Sequence, residues 1–118
     1  MRGPLVIKIV GNSSDPERTI TALSVAGAAG AAGMPLSLWL AGDAVWLAVR
    51  PECRDGLVDD EAADLLAEVL ASAGATVCAR CAQRRGIGEE DLVPGARIAG
   101  AAAFVAAVTE PGAQALVY

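Results

Sequence analysis

Short β-branched runs in this chain alternate with segments that carry helix-start signals, and that alternation limits the fold more than any other feature. Leu5-Val6-Ile7-Lys8-Ile9-Val10, bounded by Gly11 and Asn12, reads as a buried first strand. Asp15-Pro16-Glu17 then supplies an N-cap, a first helical residue with its φ already fixed, and negative charge in the first turn, so a helix is expected to about Ala32. A second strand is predicted over 35–40; residues 41–49 begin with a turn and become helix-like, and 50–56 read as loop. Asp59 or Asp60 caps a helix whose apolar face is Leu65, Leu66, Val69 and Leu70 and which Gly74 ends. Ala75-Thr76-Val77-Cys78 is a short third strand and Ala96-Arg97-Ile98 a fourth. A helix over 101–109 carries Phe104, Val105 and Val108 and stops at Pro111-Gly112, and Ala115-Leu116-Val117-Tyr118 is a fifth strand. Before the fourth strand, Glu89-Glu90-Asp91 reads as a solvated acidic loop or short helix start, and Leu92-Val93-Pro94-Gly95 as a turn.

This order predicts an α/β fold, a three-layer α/β/α sandwich around a mostly parallel five-stranded sheet. In open sheets of this kind ligands bind beyond the carboxyl ends of the strands. Residues 11–15, 42–46 and 78–85 are therefore expected on one edge, with Asn12, Asp43 and Trp46 as cleft candidates and Trp46 equally suited to core or interface. Gly27, Gly30 and Gly33 recur every third residue in the first helix, a stripe read as close packing against the sheet in preference to a dimerisation face. Residues 20–40 lack charge, but their Ala and Gly content and the break at Gly33 and Pro35 fit a buried helix and strand better than a membrane span.

Composition narrows the chemistry. The chain contains no histidine, which excludes histidine triads, His-ligated metals and histidine bases. Lysine is reduced to Lys8, inside an apolar run. At 118 residues one domain over 1–118 is expected, its core built mainly from Ala, Val and Leu and at this size still helped by association. A net charge of −5 argues against direct, non-specific nucleic-acid binding. Met1-Arg2-Gly3-Pro4 runs straight into the first strand with no secretory leader, and three cysteines, an odd number, suit a reducing compartment, so the cytoplasm is the expected location.

The chemistry is expected in Val77-Cys78-Ala79-Arg80-Cys81-Ala82-Gln83-Arg84-Arg85-Gly86-Ile87. A thiol reacts as its thiolate, and guanidinium charges with a helix N-terminus lower its pKa, which gives Arg80, Arg84 and Arg85 a supporting role. Cys78 alone also fits the end of a core strand, because cysteine is among the most buried residues, but Cys81 lies in a segment too charged to be buried throughout. No metal is expected, since a structural zinc site needs four ligands and the remaining thiol is Cys53, in an arginine-flanked loop where exposure is expected. No nucleotide cofactor is expected either: Gly11-Asn12-Ser13-Ser14-Asp15 has a single glycine and makes neither a dinucleotide fingerprint nor a phosphate loop. A thiol-disulfide pair of thioredoxin type stays open, although it follows the third strand and not the first strand-to-helix turn.

The chain resembles the DsrE-like sulfur-relay family. The likeness rests on the loop into Asp15-Pro16-Glu17-Arg18, on Leu38-Trp39-Leu40 before Gly42-Asp43-Ala44-Val45, on the cysteine segment through Arg85-Gly86-Ile87, and on residues 92–100. It implies a persulfide-carrying cysteine at the end of the third strand, a position that Cys78 matches, and Cys81 matches a second cysteine of a less characterised branch with Cys-x-x-Cys. It further implies a homotrimer or hexamer, with sulfur donor and acceptor proteins as partners. The sulfur-relay reading stands beside two alternatives, a non-catalytic oligomeric binding module and a redox protein using Cys78 and Cys81.

Overall fold

The computed structural model describes residues 3–11, 14–54 and 58–118. Their elements are β1 (Leu5–Gly11), α1 (Pro16–Ala31), β2 (Leu36–Gly42), α2 (Asp60–Leu70), β3 (Ala75–Cys78), α3 (Ala79–Arg84), β4 (Ala96–Ala99), α4 (Ala101–Val108) and β5 (Gln114–Val117). Short 3₁₀ turns at Asp43–Ala48, Pro51–Cys53 and Glu89–Asp91 fill the connections. Every strand pairing is parallel and the order across the sheet is β4-β3-β2-β1-β5.

The caps form as the sequence predicts. Asp15 accepts a hydrogen bond from the Arg18 N–H at 3.3 Å, and Asp59 from the Ala62 N–H at 3.0 Å, each meeting a donor that the first helical turn leaves unpaired. Right-handed crossovers then decide which face each helix covers. The chain steps one way from β1 through β2 and β3 to β4, which puts α1, α2 and α3 on one face, and the return from β4 to β5 carries α4 to the other.

On the first face Ile7, Ile9, Leu38, Leu40 and Val77 meet Leu23 of α1, Leu66 and Val69 of α2 and Ala82 of α3 in one core. Each fully buried Leu, Ile or Val there contributes roughly 1.5–3 kcal/mol relative to its exposed state. The second face is thinly covered. Phe104 of α4 meets Trp39 edge-on at 5.2 Å between ring centroids, and the Lys8 ammonium lies 4.6 Å from the Phe104 centroid. No residue of α4 is buried, although the helix is apolar on every side.

Three expectations change. The glycine stripe of α1 does not face the sheet: Thr19, Ala22, Leu23, Ala26 and Ala29 are its buried residues, while a Cβ on Gly27 would meet nothing within 4 Å. Gly33 lies beyond the helix at φ 75°, where an L side chain is disfavoured. The acidic run is more than a solvated surface, since Glu89 accepts from the Ile98 N–H at 2.9 Å and Asp91 from the Gly88 N–H at 2.8 Å. Finally, β2 runs on to Gly42, because β1 pairs with it residue for residue as far as Gly11. Residues 20–40 form α1 and the start of β2, and among the described residues no helix is long and apolar enough to cross a membrane.

Candidate functional site at the carboxyl edge of the sheet

Cys78 is the last residue of β3 and the N-cap of α3, so the chain turns there from extended to helical backbone. Its register partner in β4 is Ala99. After β3 the chain leaves toward the α1 face, and after β4 toward the α4 face, so a topological switch point falls between these two carboxyl ends. Doubly wound sheets open their ligand crevice at such a point. Strand alternation puts Cys78 on the side of Thr76, which pairs with Trp39, which in turn pairs with Lys8. Cys78 and Lys8 therefore share the thinly covered face.

Burial pushes the Cys78 thiol up, but the Cys81 backbone N–H, the Cys81 thiol, the Arg80 backbone N–H and the positive charge of Lys8 together hold it below its ordinary value of 9.0. Among the effects that lower it, hydrogen bonding to the anion leads and no guanidinium takes part, so the guanidinium activation expected from the sequence is not the cause. Arg80 acts through its backbone and its side chain is exposed, as is that of Arg84. Arg85 turns inward and braces the fold, pairing with Asp43 at 2.9 Å and donating to the Cys81 carbonyl at 3.1 Å.

Cys81 is half-buried and its sulfur accepts the Gly42 N–H at 3.2 Å. That approach depends on the glycine. Gly42 has φ 58° and ψ −143°, and a Cβ there would lie 2.8 Å from the Gly11 carbonyl oxygen. The carboxyl ends of β1, β2 and β3 thus gather as expected: Gly11 abuts Ala44 and Gly42, while Gly42 and Asp43 grip α3.

Of the cleft candidates, Asp43 belongs to this edge, Trp46 packs half-buried against the core, and Asn12 lies outside the described residues. Cys53 is exposed in its loop, and no group of Cys, Asp and Glu among the described residues is arranged to hold a metal. Lys8 and Gly42 are site residues that the sequence reading did not assign. A single lysine interrupting a β-branched run was the signal for the first; the second had none, because a strand-end glycine looks like any turn glycine.

Fold and site define the class: a parallel α/β protein with a cysteine pair at the carboxyl edge of its sheet. The DsrE/DsrF-like family profile matches residues 6–118, and the chain belongs to that family, which is generally associated with sulfur relay. Solved structures share the fold, two of them over nearly the whole chain. The ychN protein from E. coli aligns with a TM-score of 0.79 at 19% identity, covering 100% of both chains. MTH1491 from Methanobacterium thermoautotrophicum, a protein of unknown function, aligns at 0.68 and 13% identity over 98% of each. No curated protein sequence matches the chain significantly.

Proposed function

We propose that the protein is a cytoplasmic sulfur-relay carrier that holds sulfur as a persulfide on Cys78. The observation carrying this reading is the strand-end thiol held below its ordinary pKa by two backbone N–H groups, a neighbouring thiol and Lys8. The thiolate attacks the terminal sulfur of a donor persulfide, forming Cys78–S–SH and expelling the donor thiolate. An acceptor thiolate then attacks that terminal sulfur and regenerates Cys78. The donor backbone N–H groups that favour the thiolate are equally suited to the persulfide anion.

The reading includes a homo-oligomer, a trimer or hexamer, whose copies meet over the α4 side. Its support is the exposure of Val10, Val105 and Val117 and an all-apolar helix with no buried residue, a pattern that ordinarily belongs inside an assembly. Incubation of the reduced protein with a low-molecular-weight persulfide, followed by intact mass, tests the chemistry. Added sulfur on Cys81→Ser, which leaves a single thiol at the site, that is absent from Cys78→Ser is the expected result; no adduct on either sinks the carrier reading. Native mass spectrometry of a Val105→Asp, Val117→Asp variant tests the assembly, which should fall apart to monomers.

A further inference from the structure

We propose that Cys81 is the resolving residue of this site, attacking the Cys78 sulfur of the loaded persulfide to release hydrosulfide and leave a Cys78–Cys81 disulfide. The inference rests on the carrier reading of Cys78 and adds an activity to it: the protein ejects sulfide when no acceptor takes the sulfur.

Three contacts fix Cys81 against the carboxyl end of β2. The Gly42 N–H holds its sulfur, Arg85 holds its carbonyl, and Asp43 anchors Arg85 to the end of β2. Cys78 is the N-cap of α3 and Cys81 its third residue, the N-cap and N3 positions whose side chains lie side by side at a helix start. The terminal sulfur of a persulfide stands one S–S bond, about 2.05 Å, farther from the Cys78 Cβ. The inner sulfur stays at the Cys78 Sγ, beside the N3 position that Cys81 occupies. The Cys81 sulfur is thereby tied to a strand end 39 residues away in sequence.

The step balances without a further reactant. Cys78–S–S⁻ and Cys81–SH give the disulfide and HS⁻: a bond forms between the two Sγ atoms, and the bond from Cys78 Sγ to the outer sulfur breaks. The outer sulfur leaves with that electron pair and the Cys81 proton. The sulfane sulfur is reduced and the two cysteines are oxidised. Return to the dithiol state requires an external dithiol, by ordinary thiol-disulfide exchange. Until that happens the carrier cannot be reloaded, so sulfur loading becomes dependent on the dithiol supply.

The test uses full-length protein loaded with cysteine persulfide, desalted, and held without thiol while released sulfide and intact mass are followed. Wild type should release about one equivalent of sulfide and finish two hydrogens lighter than the reduced protein. Cys81→Ser, whose hydroxyl can still accept the Gly42 N–H, should keep its added sulfur and release sulfide at least about 10-fold more slowly, the advantage of an oriented intramolecular nucleophile. Cys81→Ala serves as a second variant with the same expectation. Persulfide persisting equally in wild type and both variants, or peptide mapping that finds the sulfur on Cys81, overturns the proposal while leaving the Cys78 carrier intact. Absence of any adduct on Cys81→Ser overturns the carrier reading itself, and this one with it.

Discussion

Two glycine-to-alanine substitutions, of identical chemistry, should move stability in opposite directions. Gly42 sits at φ 58° and ψ −143°, a region that L residues occupy only under strain of about 1–3 kcal/mol. Its added Cβ would also stand 2.8 Å from a backbone oxygen of β1, which cannot swing aside as a side chain would, and overpacking of that kind costs roughly 1–3 kcal/mol. Partial relaxation shares these penalties, so Gly42→Ala is expected to destabilise by about 2–4 kcal/mol, against a typical total of about 5–15. At roughly 3–6 °C per kcal/mol for a domain of this length, the midpoint falls by about 6–24 °C. Gly27, in contrast, lies exposed within α1 with open space where its Cβ would be, and Gly27→Ala should stabilise by about 0.5–1 kcal/mol by restricting the unfolded chain and favouring the helix. Urea unfolding followed by far-UV circular dichroism measures both. A Gly42→Ala protein within about 0.5 kcal/mol of wild type, or two shifts of the same sign, would refute the reasoning.

Removing the charge of Lys8 with Lys8→Met should move the onset of Cys78 alkylation by iodoacetamide to higher pH, and Lys8→Arg should restore it; an unchanged profile removes Lys8 from the site. Because the folded protein holds Cys78 below 9.0 and the unfolded chain does not, the unfolded state binds more protons between the folded-state pKa and 9.0. Stability from this group is thus present above 9.0 and lost as pH falls through the folded value, and Cys78→Ser should flatten that slope in thermal midpoints measured across alkaline pH. Asp43→Asn, which weakens a partly exposed ion pair, should change stability by less than about 1 kcal/mol, yet it should raise the alkylation rate of Cys81 by loosening α3 from β2. Equal Cys81 rates in the two proteins would show that the pair does not hold the helix.

Much of the layout was readable in the chain itself. The caps at Asp15 and Asp59, the β-branched run of β1 and the short Ala75–Cys78 strand are local matters, decided by side chains that meet backbone donors a few residues away or by propensity over one element. Those signals placed Cys78 at a strand end, and the alternation of elements made the sheet parallel. The glycines of α1 misled because periodicity reports which residues share a face but not which face is turned inward; Ala22, Ala26 and Ala29 serve that purpose instead.

Composition and local pattern by themselves determined a parallel α/β layering, histidine-free chemistry and a cysteine pair at the close of β3. Only the tertiary structure decided how that pair is handled. Strand order set the switch point between β3 and β4, and register put Lys8 on the side of Cys78 across two intervening pairings. The left-handed turn at Gly42 brought a β2 N–H to the Cys81 sulfur, and Asp43 drew Arg85 away from the thiol it was expected to serve. These are contacts between residues roughly forty positions apart, where the deciding energies come from packing and crossover handedness, and no local window of sequence contains them.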